Sequence, residues 1–449
     1  MTDNVATPGI AHRAMAAELD LLADLMGGTL SMRAAGQRWL PREAAESWTA
    51  WRVRLQRTVL FNGLSRTVQA LSGRPFARPV TLESAHPALQ KLTENCDKEG
   101  TSLSDFAKRL LQRLLIDGMV HILVDRPVAG GAPYLVMVTA SQLIGATRDD
   151  DGLSEIRIAE THIRRVGRFG EETSQAVRVI GRHAWQVWHP RGDLDSSVIG
   201  TWHVATEGQH DYGRPPLITL NVAPSGFMQS RPPLIDLAWL NLAHWQSASD
   251  QRHILHVARV PILFGRALQA AEGDIEIGPN RLIMADDPAA DLRFVEHSGA
   301  AINAGRQDLI DLEDRMAVLG LDMLRRRPGN ETATGRAIDA AEAHAALTGV
   351  ITTLRDGLQA AFEMAADWLD VPDGAAGQIQ IARHFPVSDD AANEADILLR
   401  ARLAGEISQE AFLAEITRRG ILAAGGGISA PTQASNITPK IRNQRGNHE

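Results

Sequence analysis

Three groups of side chains in this sequence have types and spacings that chemistry could use. His253 and His256 stand three apart, with His244 nearby, and an i, i+3 pair on a helix can share a metal ion. No HExxH-type carboxylate partner accompanies them, so packed or hydrogen-bonded histidines are the simpler expectation. The stretch GNETATG, residues 329–335, carries two bracketing glycines directly after Arg325, Arg326, Arg327 and Pro328. A phosphate-cradling loop would need GxxxxGK[ST] after a strand. Here Arg336 stands in the lysine's place and a helical run precedes, so Thr332 or Thr334 is expected as the N-cap of the next helix. The three arginines suit either contact with DNA phosphates or the C-terminal end of a helix dipole. The third group is acidic: Glu272, Asp274, Glu276, Asp286, Asp287, Asp291 and Glu296 outnumber Arg259, Arg266, Arg281 and Arg293. Such a segment is either a solvated surface or a binding face.

Other candidates resolve more simply. RDDDGLSE, residues 148–155, has the wrong acid spacing for a calcium loop and strand-like flanks, so a hairpin turn with Asp–Gly geometry is expected. Cys96 is the single cysteine. It excludes an internal disulfide and reads as an inert, semi-buried thiol. No GxSxG nucleophile elbow, paired cysteines or GxGxxG after a strand occurs, and the sequence gives no positive reason to expect catalysis or a cofactor.

The elements that must carry these groups follow from periodicity. Residues 11–28 and 43–71 are expected to be helical, the latter with Trp48, Trp51, Leu55, Val59, Leu60 and Leu64 on one stripe. SLSDFAKRLLQRLLIDG predicts a helix with Ser102 as N-cap and Gly118 as its stop. Residues 119–222 alternate or run apolar and predict a mostly antiparallel sheet with helices on one side. Residues 223–233 then read as a loop. Residues 233–258 predict a helix of about 39 Å, apolar nearly all round in its first half. That pattern implies cover on several sides, more than one surface position on a monomer supplies.

VPILFG, RLIMAD and LRFVEHSG predict short strands within an insert, residues 259–300. A helix returns over 301–326, with Ile302, Leu309, Leu312, Met316, Leu319 and Met323 on its stripe. A longer one, on the order of 50 Å, follows over 336–370. GQIQIARHFPV predicts a strand that rejoins the sheet. Two helices joined at Gly405 come next, and a polar, apolar-poor end is expected to be disordered. No internal repeat is apparent.

Composition bounds the function classes. The 449 residues carry a net charge of -8, which excludes a generally basic nucleic-acid binder. Lysines are confined to Lys91, Lys98, Lys108 and Lys440, so an arginine here is weaker evidence of guanidinium chemistry than usual. No apolar run approaches the roughly 18 residues of a membrane span, and the N-terminal stretch lacks the pattern of a signal peptide.

The order of these pieces, with RPPLIDLAWLNLAHWQSASDQRHILH followed by VPILFG and GNETATGRAIDAAEAHAAL followed by LQAAFEMAADWL, resembles the tailed-bacteriophage portal proteins over roughly residues 40–420. The resemblance implies an α+β, ring-forming portal-type fold. Residues 1–232 and 336–389 would form the wing, including its long helix and a strand, and 233–258 and 301–324 the two-helix stem. Residues 259–300 would be a small α/β clip, 325–335 a tunnel loop, 390–428 a short helical crown, and 429–449 a disordered tail. It implies a homo-oligomeric ring of about twelve subunits at one capsid vertex of a virion, assembled in the host cytoplasm. Double-stranded DNA would be packaged and ejected through the ring. Implied partners are the terminase large subunit, head–tail connector or adaptor proteins, the major capsid protein and any scaffold, with no membrane. Arg325, Arg326, Arg327, Asn330, Glu331, Thr332 and Thr334 would then line the channel, and Glu272, Asp274, Glu276, Asp286 and Asp287 would meet the motor and connector. The crown is shorter than in larger relatives. Alternative readings are a neck or minor head protein, and an enzyme acting on nucleic acid, the latter motivated only by the arginine run and the histidine pair.

Overall fold

A computed structural model describes residues 4–127, 130–191, 201–259, 262–266, 289, 291–295, 299–320, 333–372, 374–382 and 391–418. The chain divides into two compact units, residues 1–383 and 384–449. Among the described residues no helix is long and apolar enough to cross a membrane.

The first unit opens with helices α1 (Ile10–Met26), α2 (Gly28–Ala35), α3 (Trp48–Arg57) and α4 (Gly63–Gly73). The continuous helix expected over 43–71 is therefore two helices. Thr58 is extended (φ -70, ψ 133), and the Asn62 side chain caps α4 by accepting from the Ser65 amide at 2.9 Å. The Asn62–Gly63 pair is a turn signal that the apolar stripe overrode. Trp48 and Val59, placed on that stripe, are exposed, while Trp51, Leu55, Leu60 and Leu64 are buried.

Strand β1 (Thr81–Glu83), α5 (Pro87–Glu94) and α6 (Leu103–Asp117) follow. As the sequence predicts, the Ser102 hydroxyl accepts from the Asp105 amide at 3.2 Å, and Gly118 ends α6 in the left-handed region (φ 73) that glycine favours. Leu103, Phe106, Leu110, Leu111, Leu114 and Leu115 recur at helical spacing and are all buried.

Strands β2 (Met119–Asp125), β3 (Tyr134–Thr139), β4 (Leu143–Asp149), β5 (Gly152–Val166), β6 (Gly170–Ile180), β7 (Ala184–Pro190), β8 (Trp202–Gln209) and β9 (Leu217–Asn221) make up the β region. The single sheet expected there is two: a three-stranded sheet ordered β3–β2–β9 and a five-stranded meander β4 to β8. The break falls where Thr139 and Gln142 close a turn, the Thr139 amide donating to Gln142 Oε1 at 2.9 Å. All neighbouring pairs are antiparallel. The β4–β5 hairpin turns at Asp150 and Asp151, with Asp149 opposite Gly152 at φ 104, so RDDDGLSE is a turn. A common cluster of Leu123, Val138, Leu143, Ile156, Ile158, Ile180 and Leu217 joins the two sheets.

Residues 223–233, expected as a loop, contain a small hairpin of β10 (Pro224–Gly226) and β11 (Gln229–Ser230). Next come α7 (Ile235–Ala258), β12 (Ile262–Arg266), β13 (Asp291–Val295), α8 (Ala300–Gly320) and α9 (Ala333–Trp368). RLIMAD lies outside the described residues. On α8 the buried positions are Leu312, Met316 and Gly320. Leu319, placed on the stripe, is exposed, because the burial continues at i+4 from Met316 rather than i+3; Met323 lies outside the described residues.

The 36 residues of α9 extend about 54 Å at about 1.5 Å per residue. Its stripe of Ile351, Leu354, Leu358, Phe362 and Ala365 is buried. This helix packs on α6 and on β2 and β9. Gly357 permits the approach, since a Cβ there would lie 2.4 Å from Leu220 Cγ. The following strand, β14 (Gln378–Gln380), pairs with β1 in a separate ladder and does not rejoin the larger sheets.

The second unit contains α10 (Ala391–Leu403) and α11 (Gln409–Arg418). They are joined through Gly405 at φ 78, as the sequence predicts. The tail expected to be disordered, 429–449, lies outside the described residues.

Candidate functional site: a two-helix stalk

Two helices joined through a strand hairpin dominate the C-terminal half of the first unit. Polar contacts along α7 and α8 run in opposite order. His244 Nε2 lies 3.2 Å from Glu313 Oε1, Ser247 Oγ donates to Asp308 Oδ2 at 2.5 Å, and Gln251 Nε2 donates to the Ile302 carbonyl at 2.8 Å. Ascending numbers on α7 meet descending numbers on α8, so the helices are antiparallel. Glycine sets their spacing: a Cβ at Gly305 would fall 2.1 Å from Gln251 Oε1, and one at Gly320 would fall 2.8 Å from Leu237 Cδ2.

Beyond α7, strands β12 and β13 pair in antiparallel register from Ile262 opposite Val295 to Arg266 opposite Asp291. The stalk is rooted at the other end. Leu234, Ile235, Leu237, Ala238, Leu242 and Trp245 are buried, whereas Arg252, His253 and His256, nearer the hairpin, are exposed. At the root Asn241 accepts from the Leu64 amide at 3.0 Å and donates to the Phe61 carbonyl at 2.7 Å.

Burial of α7 on several sides is supplied within the chain. Two residues further on correspond to about 200° around a helix. The positions that meet α8 (His244, Ser247, Gln251) and those that meet α3 and the Trp39 turn (Gln246, Ser249) are therefore on opposite sides. Gln246 Nε2 donates to the Trp39 carbonyl at 3.0 Å, and Thr58 Oγ1 donates to Ser249 Oγ at 2.9 Å. The cover on several sides expected for this helix is thus supplied by α1, α3, α4 and α8 of the same chain.

The tie between α3 and α7 centres on Arg54, a residue the sequence reading did not single out. Its guanidinium donates from Nε to Glu46 Oε1 at 2.9 Å and from Nη2 to Glu46 Oε2 at 2.8 Å and to the Pro41 carbonyl at 3.0 Å. Nη1 reaches Ser249 Oγ and Asp250 Oδ1, both at 3.4 Å. The Arg54 hydrogen bond holds the Glu46 carboxyl below its ordinary range. The available signal was position: Arg54 follows Trp51 by three and precedes Thr58 by four, so it lies on the buried face.

The predicted site residues fare differently. His244 is buried against Glu313, as a structural histidine should be. His253 and His256 are exposed on the outer part of α7 and are not packed. Among the described residues no group of three or more His, Cys, Asp or Glu side chains is placed to hold a metal ion. Cys96 is fully buried, and burial pushes its thiol up to about 12, which suits an inert role.

Glu272, Asp274, Glu276, Asp286, Asp287, Arg325, Arg326, Arg327, Asn330, Glu331 and Thr332 lie outside the described residues. Thr334 is inside α9, which begins at Ala333. It is therefore not the N-cap, and the segment 325–335 ends as helix and not as loop.

Residues 233–369, which span the stalk and α9 and make up less than a third of the chain, match a family described as a domain of unknown function (DUF4055). No curated protein matches the sequence. Among solved structures, the chain is similar to one from the virion of a native gene transfer agent (GTA) particle. That likeness has 16% identity and a TM-score of 0.45 and covers 87% of this chain and 98% of that one. It is also similar to a chain from the neck of an empty GTA particle computed with C6 symmetry (14% identity, TM-score 0.46, 77% of this chain and 86% of that one). A third likeness is to the neck of a native GTA particle computed with C12 symmetry (14% identity, TM-score 0.42, 87% and 98%).

Proposed function

We propose that this chain is the subunit of a portal ring through which double-stranded DNA enters and leaves a phage-type capsid. The carrying observation is the stalk: two antiparallel helices rooted in the core, joined through a β12–β13 hairpin and followed by the 36-residue α9. In this reading α7 and α8 are the stem. Residues 259–300 form the clip that docks the packaging motor and later the head–tail connector. The segment 325–335 stands at the narrow point of the channel. The net charge of -8 suits a conduit, because repulsion between its wall and DNA phosphates keeps the DNA from adhering. The subunit acts as channel and platform, and ATP hydrolysis belongs to the motor.

The test is charge reversal at Glu272, Asp274, Glu276, Asp286 and Asp287. Binding of the terminase large subunit and of the connector should weaken, with the helical circular dichroism unchanged. Undiminished binding of both partners would remove the docking assignment.

A further inference from the structure

We propose that the two outer edges of the α3–α7–α8 layer are the complementary halves of one head-to-tail contact between copies of this chain. This deepens the ring reading and rests on it for closure. On α8 the inward positions are Gly305, which abuts Gln251 of α7, half-buried Leu309, and buried Leu312 and Met316. Two residues on from each, about 200° around the helix, stand Gln307, Asp311, Asp314 and Val318, all exposed. Val318 is 51% exposed. On α3 the inward positions are Trp51, Arg54, Leu55 and Thr58, and the outward ones Arg52, Val53, Gln56 and Arg57, again all exposed. Trp48, 53% exposed, flanks them.

One edge thus presents Asp311 and Asp314 beside apolar Ile310 and Val318. The other presents Arg52 and Arg57 beside apolar Trp48 and Val53. Neither pair of charges enters an ion pair among the described residues. Beside the basic edge the opposite charges are engaged, Glu46 with Arg54 and, more loosely, Asp250 with Arg54. Beside the acidic edge Arg306 and Arg315 are exposed but lie at its margins, about 80–100° around α8 from its centre.

Charge decides the symmetry of the contact. An isologous pairing would set the acidic edge against itself, or the basic edge against itself, and like charges in register repel. Opposite edges attract, and their union is heterologous, the type of contact that builds a ring when the rotation closes. The apolar side chains supply buried area, and the charges set register and association rate.

The experiment uses two full-length variants. Asp311→Arg/Asp314→Arg makes both edges basic, and Arg52→Glu/Arg57→Glu makes both acidic. Native mass spectrometry should show each alone failing to assemble, with association weakened on the order of tenfold or more. An equimolar mixture should recover oligomers containing the two chains in equal number. Because the altered groups are exposed, circular dichroism and melting should match the unaltered protein. Asp311→Asn/Asp314→Asn, which removes charge without reversing it, should give an intermediate loss. Assembly of either reversed variant at the unaltered level, or a mixture that stays monomeric, overturns the edge assignment and leaves the ring reading standing. An unaltered chain that is monomeric at every concentration overturns both.

Discussion

Replacing Arg54 by Met tests the tie between α3 and the stalk. Methionine keeps an apolar stem of similar length, so the loss reports the guanidinium and not a cavity. Arg54 and Glu46 are 5% and 10% exposed at their side chains, with a two-point contact at 2.8–2.9 Å. Removing one member of a buried pair leaves the other uncompensated and costs roughly 3–5 kcal/mol. The lower end applies here, because the contacts to Ser249 and Asp250 are long and Asp250 is 65% exposed. The expected loss is therefore about 3 kcal/mol. Urea unfolding at fixed protomer concentration should show a lower midpoint with an unchanged slope. Adding Glu46→Gln should cost far less than it does alone, with a coupling of about 2 kcal/mol. The pH sign follows from the lowered Glu46 carboxyl: its contribution is present above the ordinary glutamate range and is lost as pH falls through the depressed folded value. A loss below about 1 kcal/mol, or strict additivity with Glu46→Gln, would refute the reasoning.

Two further outcomes are expected from the core. Asp117 is buried at the C-terminal end of α6 with Arg113 3.6 Å away, and burial pushes its carboxyl up to about 6. A raised carboxyl costs stability as pH rises from the unfolded value through 6, up to about 3 kcal/mol at neutral pH. Asp117→Asn should therefore raise the melting temperature at pH 7 and change little below pH about 4; a lower melting temperature at pH 7 would contradict this. Gly357→Ala should lower the melting temperature despite alanine's helix preference, because its Cβ would meet Leu220 at 2.4 Å and overpacking costs about 1–3 kcal/mol. A stabilised variant would mean that α9 does not bear on β9.

Local signals and distant contacts divide what the sequence could reveal. Ser102, Gly118 and Gly152 act through their own neighbours, so their roles as cap, stop and turn could be read directly. Of the stalk helices, α7 was legible from a long run that is apolar nearly all round, and α8 from an apolar stripe recurring at helical spacing. The break between α3 and α4 was signalled by Asn62–Gly63 but masked by the continuing stripe. The pairing of β1 with β14 joins residues near 82 and 379, and no local pattern encodes such a partner. Arg54 was obscured for a related reason: its partner Ser249 lies 195 positions away, and an arginine in an arginine-rich chain does not stand out. The division into two sheets depends on which strands pair, which alternation alone does not specify.

The central claim is that copies of this chain close into a ring around an axial pore. Native mass spectrometry of the purified full-length protein across a concentration series, with negative-stain microscopy of the same samples, tests it most directly. Closed rings with a central pore are expected, of one or more subunit numbers. A chain that stays monomeric at every concentration, or that forms assemblies without a pore, would contradict the claim.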